Sequence, residues 1–135
     1  MLKDMVKTYG LTHLALAVKD PERSFQFYEK VFGMIAVYRK EDFIQAQTPG
    51  SRDVLVFERT PAVHESGGAI LHFGFRLLDP ADIDAAVAAV EQAGGVVLSH
   101  GEFCPGEPYL FARDPDGNEF EIWHELPTPV DPKNT

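Results

Sequence analysis

The 135 residues carry 12 Lys plus Arg against 21 Asp plus Glu, a formal charge of −9 and a pI near 4.9. That balance, without any Lys/Arg cluster, opposes nucleic acid or an anionic membrane surface as a partner. Hydrophobic residues at 44% and charged residues at 24% are ordinary globular usage, which excludes disorder and collagen. In chain order, GLTHLALAV reads as a strand, stopped by Asp20-Pro21, where Asp caps a helix and Pro takes its first position without losing a hydrogen bond. The helix is predicted over Pro21–Phe32, with Phe25, Tyr28 and Phe32 at helical spacing for burial. Strand signals follow at Met34–Arg39, Phe43–Gln47 and Val54–Arg59, then a loop over 60–68.

The pattern then starts again. AILHFGFRLL reads as a strand, Asp79-Pro80 opens a second helix through Ala93 with Ile83, Val87 and Val90 inward, and Gly94-Gly95 ends it. Strands are expected at Val96–His100, Tyr109–Ala112 and Glu119–His124, the last two joined by the turn Asp-Pro-Asp-Gly-Asn at 114–118. His13 and His72 keep the same offset as Asp20 and Asp79 (72 − 13 = 79 − 20 = 59), so the chain reads as one supersecondary unit used twice. The expected class is α+β, as βαβββ twice. Residues 1–135 are expected to form a single domain, with module one at about 8–60, a linker at about 61–68, module two at about 69–126 and a tail at about 127–135.

Strand alternation then locates the chemistry. His13 shares a face with Leu11, Ala15 and Ala17, while bulkier Leu14, Leu16 and Val18 take the other. His72 shares its face with Gly74 and Arg76, opposite Phe73 and Phe75. In the last strand Phe120 and Ile122 form the apolar row, so Glu119, Glu121, Trp123 and Glu125 point the other way. One histidine in an apolar strand is more often a hydrogen-bonded core residue. Two at equivalent positions of a repeat, with an inward carboxylate, make a facial set for a divalent metal that leaves coordination positions open. Fe(II), Mn(II), Zn(II) and Ni(II) suit it alike.

The segments GLTHLALAVKDPERSFQFYEKVFGM, ILHFGFRLLDP and FARDPDGNEFEIW resemble the vicinal-oxygen-chelate superfamily, which holds glyoxalase I, bleomycin-resistance proteins, fosfomycin-resistance thiol transferases and extradiol dioxygenases. The resemblance spans about residues 8–126. It implies paired modules forming a curved, partly open eight-stranded sheet around a metal-bearing cleft with helices outside, and the ligands His13, His72 and Glu121. Four-ligand members carry a further Glu or Gln on the fourth strand of module one. Val56 stands at that position here, and Glu58 lies two residues on along the same face, so the three-ligand reading is preferred.

Ala15 stands where the fosfomycin-type transferases carry Thr, and Gly101–Pro108 replaces their serine-rich potassium loop. By resemblance to extradiol dioxygenases, Tyr109 is a candidate for the tyrosine near the metal, and His64 or His100 for the acid–base histidine. Arg76 could bind a substrate carboxylate or phosphate through its guanidinium fork, with a salt bridge at the cleft rim an equal alternative. Trp123 and Val56 are expected to line the pocket. His124 faces away from Glu121 and is excluded as a ligand. Cys104, in FCPGEP, has no fixed base beside it and reads as an incidental thiol, and one cysteine forms neither an internal disulfide nor a Cys-x-x-Cys zinc site.

The expected function is therefore a divalent-metal-dependent enzyme acting on a small molecule with vicinal oxygens, by dioxygenase, lyase/isomerase or thiol-transferase chemistry. The alternative is a non-catalytic binder of the bleomycin-resistance type, which has no reason to keep the three ligands. The amino terminus MLKDMVKTYG lacks a leader's apolar run, so the expected location is the cytoplasm. A homodimer is expected from the resemblance and from sheet edges that need cover.

Overall fold

A computed structural model describes Lys7, Tyr9 and residues 11–60 and 70–132. The chain divides into two compact units, Met1–Glu65 and Ser66–Thr135. The first holds β1 (Leu14–Val18), α1 (Pro21–Phe32), β2 (Ile35–Arg39), β3 (Phe43–Gln47) and β4 (Leu55–Arg59). The second holds β5 (Phe73–Arg76), α2 (Ile83–Gln92), β6 (Val96–Glu102), β7 (Pro108–Arg113) and β8 (Glu119–Trp123). The class is α+β, and each unit is a four-stranded mixed sheet with one helix. The strand orders are β1-β4-β3-β2 and β5-β8-β7-β6, so the repeat is one of topology as well as sequence. In each sheet the first and last strands run parallel and the other pairs are antiparallel.

The Asp-Pro signals act as caps. Asp20 Oδ1 accepts from the backbone N–H groups of Glu22 (3.1 Å) and Arg23 (3.4 Å), and Gly33, at φ 68°, closes the helix by donating to the Glu29 carbonyl. Glycine suits that left-handed end because it carries no Cβ. Asp79 caps only a single 3-10 turn, Pro80–Asp82, through Ala81 N–H at 2.9 Å, and the α-helix starts three residues later than its Pro suggests. Asp20→Ala is accordingly expected to cost about 1 kcal/mol, and Asp79→Ala measurably less, in urea midpoints at unchanged slope. Equal losses would show that the number of capped N–H groups is not what matters.

The first core joins Phe25, Phe27 and Tyr28 of α1 to Val18, Ile44, Ala46, Leu55 and Phe57. Tyr28 packs against Phe57 with ring centroids 5.2 Å apart. Phe32 is only half-buried, and Phe27 joins the core instead, because α1 turns a stripe wider than one i, i+3, i+4 row to its sheet. The second core joins Val90 to Leu110, Ala112, Phe120 and Ile122, with Phe73 and Phe75 edging Phe120. The Ala-rich α2 has little side chain to bury, and Val90 is its single fully buried residue among those described. No helix among the described residues is long and apolar enough to cross a membrane.

Candidate metal centre and pocket

Both histidines stand one residue before a strand rather than within it. The ladder of β1 opens at Leu14, beside Leu55, and that of β5 at Phe73, beside Phe120, so His13 and His72 precede the first paired residue and are exposed. A strand-end imidazole is freer of the core than a mid-strand one. His13 Nδ1 lies 3.1 Å from the Thr12 hydroxyl. The His72 ring sits edge-on to Phe111, with centroids 5.2 Å apart at 84°.

Glu121 lies on β8 between buried Phe120 and Ile122, so the pleat turns its carboxylate to the other face. The parallel register sets it beside Gly74, where a Cβ would stand 3.5 Å from its Oε1. The missing side chain leaves room for the carboxylate to lie over β5. Glu121 Oε1 is 4.0 Å from His72 Nε2. Two donors on one face of an ion, each bonded at about 2.1 Å, stand about 3.0–3.4 Å apart, so this N/O pair is near that spacing and would have to close by about 0.6–1 Å to share a divalent ion. Burial pushes the Glu121 carboxyl above its ordinary range, His72 pulls it down, and Glu125 pushes it up. His13, the third expected ligand, belongs to the first unit. Among the described residues no three His, Cys, Asp or Glu side chains gather closely enough to hold an ion.

Val56 sits beside Ala15 as Glu121 sits beside Gly74, so the parallel ladders make the two positions equivalent. Val56 is buried, while Glu58 lies beside Ala17, exposed at the end of β4. The apolar residue thus holds the position that carries the carboxylate in the second unit.

A pocket of about 450 Å³ is lined by His72, Gly74, Arg76, Glu121, Trp123 and Glu125, together with Phe73 and Phe75. Tyr109 stands across the ladder from Trp123, and Phe111 across from Glu121. Sequence reasoning missed Phe103, which stacks on Tyr109 at 4.0 Å and 10° and meets Trp123 edge-on at 5.3 Å. The pairing Gly101↔Tyr109 brings it there, since Gly101 offers no side chain in its way. The Trp123 indole Nε1 is buried with no hydrogen-bond partner among the described residues.

His100 pairs with Leu110 and so falls on the face opposite Tyr109 and Phe111, which removes it from this constellation. His64 lies outside the described residues. His124 Nδ1 donates to the Leu77 carbonyl at 2.9 Å, a structural bond. Arg76 is already paired, with Asp131 at 3.0 Å and Glu125 at 3.4 Å. Cys104 is exposed, and the neighbouring Glu107 raises its thiol pKa, so the thiolate is disfavoured.

Known proteins resemble this chain in sequence and, separately, in fold. A catechol-2,3-dioxygenase of Bacillus subtilis (strain 168) is 28% identical over 130 residues, which cover 91% of this chain and 45% of that protein. The chain thus spans about half the length of that relative. A probable trivalent organoarsenical cleaving enzyme of the same strain is 31% identical over 117 residues, covering 83% of this chain and 77% of the relative. Among solved structures, the fosfomycin resistance protein FosX from Listeria monocytogenes, complexed with Mn(II) and 1S,2S-dihydroxypropylphosphonic acid, superposes with a TM-score of 0.70 at 16% identity, over 89% of this chain and 93% of that one. Residues 10–122 match the Glyoxalase/Bleomycin resistance protein/Dioxygenase superfamily, and the chain belongs to that superfamily.

Proposed function

We propose that this chain is a divalent-metal-dependent enzyme acting on a small molecule with vicinal oxygens, with His13, His72 and Glu121 as the ligands. The observation that carries the reading is the approach of His72 Nε2 to Glu121 Oε1 in the lining of a pocket that also holds Phe73, Phe75 and Trp123. A bound divalent ion supplies Lewis acidity, which stabilises charge developing on adjacent substrate oxygens. The chain's own residues do the rest. Trp123 and Tyr109 offer flat apolar surfaces against which a ring lies, and the Tyr109 hydroxyl is a hydrogen-bond donor beside it. Val56 keeps the equivalent position in the first unit without a donor, which favours three ligands over four, with Glu58 as the fallback fourth.

An aromatic wall favours an aromatic substrate, so a catechol under oxygen is the leading substrate class, ahead of lyase chemistry on methylglyoxal with glutathione and of thiol addition to fosfomycin. A screen of these three with protein reconstituted in Fe(II), Mn(II), Zn(II) or Ni(II) is expected to give stoichiometric metal and ring cleavage of a catechol. No metal uptake from any of the four ions would leave the non-catalytic binder instead. Turnover of methylglyoxal would point to Glu58 and a four-ligand site.

The same reading includes a homodimer. The outer strands β2 and β6 expose Ile35, Val37, Val96 and Leu98, an apolar cost that a second copy removes. If modules are exchanged between chains, His13 of one joins His72 and Glu121 of the other. Mixing His13→Ala with Glu121→Ala protein is then expected to restore one intact site per mixed dimer, measured as regained metal. Light scattering that shows a monomer at micromolar concentration would remove the dimer.

A further inference from the structure

The pocket's one cation is already neutralised from within the chain. Of the residues that line it, Arg76 alone carries a permanent positive charge, and both ends of its guanidinium are taken: Nη1 meets Asp131 Oδ2 at 3.0 Å and Nη2 meets Glu125 Oε2 at 3.4 Å. Asp131 does not arrive there as a loose side chain. The Thr128 hydroxyl donates to Asp131 Oδ1 at 2.9 Å, and the Asp131 N–H donates to the Thr128 carbonyl at 3.2 Å, which fixes the carboxylate on a tight turn. The Thr128 hydrogen bonds, and after them Arg76, hold the Asp131 carboxyl below its ordinary range, so it is ionised at neutral pH. One positive charge therefore faces two negative ones, and Glu121 adds a third negative charge to the pocket lining.

We propose that Asp131, presented by the carboxy-terminal segment, serves as a built-in anion on Arg76 and makes the pocket disfavour ligands that carry an additional anionic substituent. The proposal rests on the reading that this pocket takes a ring with vicinal oxygens, and it makes Asp131 and Glu125 specificity-determining residues. A ligand carboxylate that sought Arg76 would have to displace a carboxylate whose geometry is already set, or lie beside two of its own charge. A ring without that substituent asks nothing of Arg76 and can lie against Trp123. Arg76 is about half exposed, at 46% of its side-chain surface, so solvent screens the discrimination and keeps it moderate.

The test uses the full chain and ligand-observed NMR titration. Loaded with Zn(II), which has no redox chemistry, the wild type is expected to bind catechol about tenfold more tightly than 3,4-dihydroxybenzoate. Asp131→Asn should narrow that ratio about threefold, and Glu125→Gln/Asp131→Asn about tenfold, while adding Arg76→Gln to the pair, which takes the trio from one net positive charge to none, should restore part of the wild-type preference. A ratio unchanged in the double variant overturns the proposal, as does a change that Arg76→Gln leaves at full size. A second arm uses metal-free protein and benzoate, which has the anion but no vicinal oxygens. The double variant should gain about tenfold for benzoate, and adding Arg76→Gln should remove most of the gain. No benzoate gain overturns the proposal whatever catechol does. A benzoate gain in protein that never binds catechol upholds the built-in anion and removes the vicinal-oxygen reading.

Discussion

Glu121→Ala protein is expected to bind Mn(II) at least about a hundredfold more weakly than the wild type, since even residues that merely orient a metal ligand cost about 10–100-fold when lost. His72→Ala and His13→Ala should do the same, and all three should keep the wild-type circular dichroism spectrum, because the histidines are exposed and Glu121 faces the pocket. Glu121→Gln separates the donor's role from its space. Burial raises the Glu121 carboxyl pKa, so the folded chain holds that proton more tightly than the unfolded one. Stability of the metal-free protein therefore falls as pH rises from the unfolded value through the raised folded one. Gln removes that loss, so E121Q should lose the metal yet melt no lower than wild type above that window. Full metal occupancy in E121Q or E121A would remove Glu121 from the site.

Phe120→Ala is expected to cost about 3–5 kcal/mol, a large part of the whole for a chain this size. Phe120 has no exposed surface, and its ring touches Phe73 and Phe75, each with centroids 6.4 Å away. Phe103→Ala is the control, since that ring is 50% exposed and its loss should cost under about 1 kcal/mol while stripping a stacked partner from Tyr109. A urea midpoint that reports less than about 1.5 kcal/mol for Phe120→Ala would mean that β5 closes over the gap.

The 59-residue offset and its two Asp-Pro pairs made the doubled unit legible before any coordinates, because caps and turns are local chemistry. The alternation of β8 was legible for the same reason, and Glu121 fell on the expected side. The starts of β1 and β5 were not, since a strand begins where its partner offers a hydrogen bond, and those partners lie far along the chain. Asp79-Pro80 read as an α-helix start, but the single capped N–H sustains only one tight turn before Ile83. The state of Arg76 was beyond sequence reasoning altogether. Its main partner is 55 residues away, on a segment rich in proline and without periodicity.

Both sheets close by laying their first strand parallel to their last, which sets Leu14 beside Leu55 and Phe73 beside Phe120. Hairpins such as β7–β8 form from neighbouring residues and need little chain entropy, whereas β5 must find β8 across a helix and two strands. His72 and Glu121 come together only through that long-range pairing. A half-made unit, emerging from synthesis with β5 already present, therefore lacks the pair that would hold an ion. On the proposed reading, ion binding at this pair therefore reports that the second sheet is complete.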